Sequence, residues 1–335
     1  MAEAATSRGL PEPRAHLAAI EIRNLVKTYK NVRALDGLSL SVQRGSIFAL
    51  LGPNGAGKST TIKILTTLSR PDSGEAWVAG SNVLSEPQHV RRSIGCVAQR
   101  SGVDVDSTGR ENLILQGRFH EMRGVELKQR VAELLDRFGL ASAADRIART
   151  YSGGMQRKLD IAMGLIHRPE VLFLDEPTTG LDPESRNDLW DEIARLSTEG
   201  LTILLTTHYL EEADHLAQQV AIVDRGRIVT EGAPEALKAE LRGDSVQIDL
   251  AAPATLAAIE QSLHTVEGVR EIQVSGTILH ARADHGATAV PPMLLALEAV
   301  GIRTSSVRVA RPTLDDVYLR YTGRTIQEAE QEERR

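Results

Sequence analysis

Two short stretches of this chain carry side chains whose types and spacing amount to chemistry. Gly52-Pro53-Asn54-Gly55-Ala56-Gly57-Lys58-Ser59-Thr60 follows the apolar run Ile47-Phe48-Ala49-Leu50-Leu51, and a glycine loop between strand and helix turns consecutive N–H groups toward an anion. Lys58 adds a point charge for the β- and γ-phosphates of a nucleotide. Ser59 adds a hydroxyl for Mg²⁺, which usually takes one or two protein ligands while phosphates supply others. In the second stretch, Val171-Leu172-Phe173-Leu174-Asp175-Glu176-Pro177, an apolar strand ends in two carboxylates. Open α/β sheets hold ligands just beyond the carboxyl ends of their strands, so Asp175 is expected at the metal and Glu176 at the water that attacks the γ-phosphate. A strand-end turn with exposed acids is the alternative, and the phosphate loop argues against it.

A third element sits at a helix start. Tyr151-Ser152-Gly153-Gly154-Met155-Gln156 precedes a run in which Leu159, Ala162, Met163 and Ile166 recur at helical spacing. Ser152, Gly153 and Gly154 form a plain helix cap when taken alone, but a hydroxyl and two glycines there also make an anion site. The chain thus carries two separate phosphate-recognition elements.

The elements that must position these residues follow from hydrophobic patterning. From Ile20 to about Leu241, strand-like apolar runs alternate with amphipathic helical stretches, which predicts an α/β fold with a mainly parallel sheet. The stretches Ile20 to Arg23 and Leu38 to Val42 alternate apolar and polar residues and read as half-buried antiparallel strands, with Asp36-Gly37 as turn chemistry. Val171 to Leu174 and Leu201 to Leu205 are continuous apolar runs, as in strands covered on both faces. Helical spacing at Leu127, Val131, Leu134, Leu135 and Phe138 predicts a helical subdomain over about residues 100–160.

Past residue 242 the order becomes β-α-β-β-α-β, which suits a small ferredoxin-like accessory unit over 243–322. A short helix over Leu314 to Tyr321 closes that unit, a charged and solvated tail is expected over 323–335, and residues 1–19 read as a disordered leader. The leader lacks the apolar segment of a signal peptide. Within 335 residues, 41% are hydrophobic and 25% charged, the composition of a soluble globular protein, and no stretch approaches the ~20 apolar residues of a membrane span. A net charge of -6 gives no bulk attraction for nucleic acid, so no nucleic-acid partner is expected. The single cysteine, Cys96, cannot close an internal disulfide and reads as a small core residue.

With these motifs in this order, the segment from about Ile20 to Gly232 resembles the ATP-binding cassette (ABC) family of transporter ATPases. The resemblance implies that Tyr29 stacks on adenine, that Gln99 touches Mg²⁺ or water, and that Ser152, Gly153 and Gly154 belong to a signature motif. Tyr151 and Met155 replace the leucine and glutamine common there. Asp182, in Gly180-Leu181-Asp182-Pro183, resembles the loop that joins opposing subunits, and His208 resembles the switch histidine that bridges the γ-phosphate. ATP with Mg²⁺ is the implied ligand, Lys58, Glu176 and His208 the implied catalytic residues, and Ser59, Gln99 and Asp175 the implied metal neighbours.

The same resemblance implies partners. One cassette is an incomplete site, so pairing with a second copy or a close relative is expected, each nucleotide lying between one subunit's phosphate loop and the other's signature motif. A separate permease with multiple membrane spans is expected to dock near Gln99 and Ser101 to Glu111, holding the chain at the cytoplasmic face of the membrane. The ending Arg311-Pro312-Thr313-Leu314-Asp315-Asp316-Val317-Tyr318, together with Tyr151, is similar to the daunorubicin-resistance type of drug exporters, with the accessory unit as an interaction module. An importer subunit and a permease-free ATPase acting on ribosomes or DNA are the alternatives.

Overall fold

The computed structural model describes residues 18–241 and 243–333. Most of the expected leader therefore lies outside the described residues, as does Arg242 at the expected join. Ala18 and Ala19 instead begin the first strand, Ala18–Tyr29, which pairs antiparallel with Val32–Gln43 and with Ser73–Val78 in a four-stranded sheet. Asp36-Gly37 does not turn the chain. Leu25 pairs with Leu38 and Val26 with Asp36, so Gly37 is an extra residue bulged out at φ 78°. Asp36 is held there by its N–H donating to the Gly226 carbonyl, 2.9 Å away, and by its carboxylate on Arg33 and Arg227.

Six strands form the central sheet, in the order Arg227–Gly232, Gln219–Asp224, Ile47–Leu51, Thr202–Thr207, Val171–Asp175 and Ile94–Val97. All neighbours are parallel except the hairpin of the first two. The continuous apolar runs sit in its middle because both faces are covered: Phe48, Leu50, Phe173 and Leu204 share a core with the smaller sheet and with Ile62, Ile64 and Leu65, while Ala49, Leu51, Leu172, Leu174 and Leu205 face helices. Register then sets the site. Leu51 pairs with Thr207 and Asp175 with Thr206, so the residues that follow these three strands emerge together along one edge.

The helical region is built from Gly109–Phe119, Gly124–Arg137 and Gly153–Gly164. The first is capped reciprocally by Thr108 and Glu111. Cys96 departs from its expected core position: it lies on the sheet-edge strand Ile94–Val97 and is exposed.

Beyond Gly243 the strands Asp244–Leu250, Val269–Ser275, Ile278–Ala283 and Thr304–Ala310 form an antiparallel sheet whose order, by sequence, is second, third, first, fourth. The helices Leu256–Leu263 and Gly286–Ala299 pack on it around a separate core that includes Val246, Ile248, Leu279, Met293 and Leu297. The residues expected to be a solvated tail behave otherwise. After the helix Leu314–Thr322, the segment Ile326–Glu333 is also helical, and Ile326 and Ala329 are buried in the same core as Leu314, Val317 and Tyr318. That core is the cassette's. The amphipathic spacing of Ile326 and Ala329 lets a charged segment bury one face.

Candidate functional site

The phosphate loop leaves the central strand at Leu51 and enters the helix Lys58–Leu65. Two of its glycines are required by close approach: a β-carbon at Gly52 would lie 2.2 Å from the Val223 carbonyl oxygen, and one at Gly57, where φ is 109°, would lie 2.5 Å from that of Ala34. Pro53 and Ala56 are buried within the turn, Asn54 and Gly55 are exposed at its tip, and Ser59 and Thr60 are half-buried in the first helical turn. The Lys58 ammonium donates to the carbonyls of Gly52 (2.6 Å) and Pro53 (2.9 Å).

Around that ammonium the chain assembles its acids. Glu176 Oε1 lies 3.7 Å from Lys58 Nζ and 3.4 Å from His208 Nδ1, the latter a close approach without hydrogen-bond alignment. Gln99 Nε2 donates to Glu176 Oε2 at 2.9 Å, and Thr179 Oγ1 donates to the same oxygen at 3.3 Å. Asp175 Oδ1 accepts from Ser59 Oγ at 3.2 Å and from Thr206 Oγ1 at 2.6 Å. Lys58, Asp175 and Glu176 are exposed by only 4%, 9% and 6%. Burial alone would push the Glu176 carboxyl up, but neighbouring His208 and the charge of Lys58 outweigh it and hold the group below the usual carboxylate range. Glu176 is therefore ionised and able to accept a hydrogen bond or proton at neutral pH.

Six expected site residues, Lys58, Ser59, Gln99, Asp175, Glu176 and His208, thus converge at one sheet edge. The rest of the phosphate loop flanks this edge, and the remaining expected residues lie elsewhere. Ser152 caps its helix by accepting from the Met155 N–H, 3.2 Å away, and Gly154 abuts Ser185, whose N–H and hydroxyl both reach Asp182, at 2.9 and 2.8 Å. Gly153 faces Leu181. Ser152, Gly153, Gly154 and Asp182 therefore form a second cluster in which two helices begin side by side. Tyr29 ends the first strand, 43% exposed, with Lys27 over its ring and its hydroxyl 3.1 Å from Ser69 Oγ.

Sequence reasoning missed several supports. Thr206 holds both acids, since its hydroxyl donates to Asp175 and accepts from the Glu176 N–H. The segment after Glu176 is tied by Thr178, whose hydroxyl donates to the fully buried Glu212 at 2.7 Å, and Trp190 Nε1 donates to the same oxygen at 3.1 Å. On the loop's outer side, the turn Asp224 to Gly226 braces it, with the Gly226 N–H donating to the Ala56 carbonyl at 2.9 Å. Asp224 accepts in turn from the Tyr318 hydroxyl at 3.1 Å and from Arg324 at 3.0 Å. Burial first, and then the Asp224 charge, push the Tyr318 phenol up to about 12. Arg324 and Ala329 also line a cavity of about 190 Å³ with Pro53, Asn54 and Gly55. The sequence signal for this brace was the charged ending itself, which lies 100 residues beyond Asp224.

Comparison with known proteins places this geometry among relatives. The ABC transporter family profile matches residues 35–179. The daunorubicin/doxorubicin resistance ATP-binding protein DrrA of Streptomyces peucetius is 45% identical over 322 residues, covering 94% of this chain and 97% of that one. The Nod factor export ATP-binding protein I of Burkholderia lata is 38% identical over 314 residues, covering 93% and 99%. Among solved structures, cbiO1 from Clostridium perfringens, part of an ABC transporter complex, matches with a TM-score of 0.62 at 27% identity, covering 67% of this chain and 91% of its own. A dimeric ATP-binding cassette in a post-hydrolysis state, bound to ADP and phosphate, matches with a TM-score of 0.58 at 27% identity, covering 64% and 98%.

Proposed function

Since this chain belongs to the ABC transporter family and is an ATPase subunit whose hydrolysis is coupled to transport, we propose that it powers export of hydrophobic or amphiphilic compounds through a separate membrane permease. The observation that carries the export reading is coverage. The resistance and export relatives align along nearly the whole chain, C-terminal unit included, whereas the solved cassettes stop near two thirds. No helix among the described residues is long and apolar enough to cross a membrane. In this reading the path for the compound belongs to another polypeptide, which would hold this one at the cytoplasmic membrane face.

At the site, the phosphate loop from Gly52 to Thr60 binds the triphosphate and Lys58 neutralises its developing charge. Tyr29 offers a ring for the base. The donors beside the loop suit Mg²⁺: Ser59 Oγ and Asp175 Oδ1 are hard oxygens 3.2 Å apart, and the Gln99 amide is held on the adjacent Glu176. When bound there, the ion would offset phosphate charge. Glu176, kept ionised, accepts a hydrogen bond from the attacking water and takes its proton, while His208 faces the transferred phosphoryl group. The separation of Ser152, Gly153, Gly154 and Asp182 from this edge supports a two-subunit site, in which the second cluster of one copy completes the first cluster of another.

The test is transport. Expressed with a candidate multi-span permease, the chain should lower retention of an amphiphilic dye in cells, and Glu176→Gln should abolish that efflux while ATP binding persists. Dye accumulation driven by the parent pair would overturn the export reading, and parental efflux by the variant would overturn the role of Glu176.

A further inference from the structure

Arg157 lies in the first turns of the helix Gly153–Gly164 and is only 7% exposed. Its guanidinium donates to four backbone carbonyls: Nε to Pro177 at 2.7 Å, Nη1 to Ala98 at 2.8 Å, and Nη2 to Asp175 at 3.1 Å and Glu176 at 3.3 Å. These acceptors lie at or just beyond the ends of two adjacent strands of the central sheet, Ile94–Val97 and Val171–Asp175. One side chain therefore fastens the segment that carries Gln99 to the segment that carries Glu176.

Glu176 needs such a fastening. Its φ is 47°, in the left-handed region that a residue with a β-carbon occupies only where its surroundings over-determine it. Thr206 holds the N–H side of the residue through its carbonyl and hydroxyl, and Arg157 holds the carbonyl side. One turn along the same helix, Asp160 stands 3.8 Å from Arg157 and accepts from the Gly102 N–H at 2.9 Å, so the Gln99 segment is gripped at both ends. A planar fork of five donors can satisfy several carbonyls at once, which an ammonium cannot reproduce. Burying a guanidinium is costly, and here the cost supports geometry at the reacting edge.

We infer that Arg157 is a positioning residue for hydrolysis, which keeps the Glu176 carboxylate and the Gln99 amide in register with the phosphate loop. Its helix begins at Ser152–Gly154, so it also links the second cluster mechanically to Glu176. The inference rests on Glu176 being the group that aligns the attacking water.

The experiment compares Arg157→Gln, Arg157→Lys and Glu176→Gln in the full chain assembled with its permease, reading kcat, the KM for ATP and ADP affinity. Arg157→Gln should lower kcat roughly tenfold or more with KM and ADP affinity within about twofold, and Arg157→Lys should fall between it and the parent. A purely structural role would instead reduce the amount of ADP-binding protein and leave kcat per ADP-binding site at the parental value, which overturns the inference. Should Arg157→Gln fail to fold, Arg157→Lys decides on the same readout. If Glu176→Gln is inactive while both Arg157 variants turn over like the parent, only the positioning role falls. Parental turnover by Glu176→Gln removes the premise and the inference with it.

Discussion

The cassette and the C-terminal sheet unit bury charge very differently. Beneath the carboxyl edge of the central sheet, Lys58, Arg157, Asp160, Asp175, Glu176 and Glu212 are all less than a tenth exposed, while the strands that carry the edge are buried from end to end. In the sheet unit the strands Val269–Ser275 and Thr304–Ala310 are open or half-open along their lengths, and Arg282 is a buried charge, near Asp316 and Glu271. Ionised groups cost several kcal/mol to desolvate. A region that concentrates them around one loop is spending stability on chemistry, and a region that leaves its strands open is a scaffold with surface to offer.

The largest effect should come from the centre of the charged cluster. Lys58→Ala is expected to lower ATP turnover by ~100-fold or more and to weaken nucleotide binding, because a charge-assisted contact to phosphate has no neutral substitute. Circular dichroism should show the sheet unit still folded on its own core. Turnover near the parental rate would erase the contrast between the regions.

A middle-sized effect tests the seam between them. Tyr318→Phe and Arg324→Gln each remove one partner of Asp224, costing ~1 kcal/mol each. Through the Gly226 contact to Ala56 they should raise the KM for ATP a few-fold while kcat changes little. An unchanged KM in both variants would show that the brace holds the C-terminal helices without reaching the phosphate loop.

The smallest effect asks whether every buried titratable group in the cassette serves the reaction. His167 stacks on His120 with ring centroids 3.6 Å apart and is pushed down to about 4 by burial first and by His120 second. The unfolded chain takes up this proton near pH ~6.5, so between there and about 4 it binds more protons than the folded one. This contribution to stability is complete above the higher value and is lost as pH falls toward the lower. His167→Gln should flatten the fall of the thermal midpoint over that window and leave turnover at neutral pH unchanged. A steeper fall in the variant would reverse the assignment.

The sequence was most legible where local structure depends on short runs. Gly52 to Thr60, Asp175-Glu176 and the apolar strands before them needed only spacing and periodicity. What stayed hidden depends on contacts between distant segments. Asp36-Gly37 has the composition of a turn, yet a bulge against Leu25 and Val26 absorbs it. Arg157 stands among Gln156, Lys158 and Asp160 and reads as one more helix charge, because its acceptors are main-chain carbonyls, which leave no trace in residue type. The charged ending suggested solvent, and only the core that receives Ile326 and Ala329 shows why it docks.

The brace at Asp224 also has a consequence for how the protein is made. A chain leaving the ribosome N-terminus first exposes its phosphate loop early, but Arg324 follows Asp224 by 100 residues. Until that stretch has been synthesised and its helices have docked on the cassette, the nascent loop must hold its turn without Tyr318 and Arg324. Translation order thus delays the finished mouth of the site until most of the polypeptide exists.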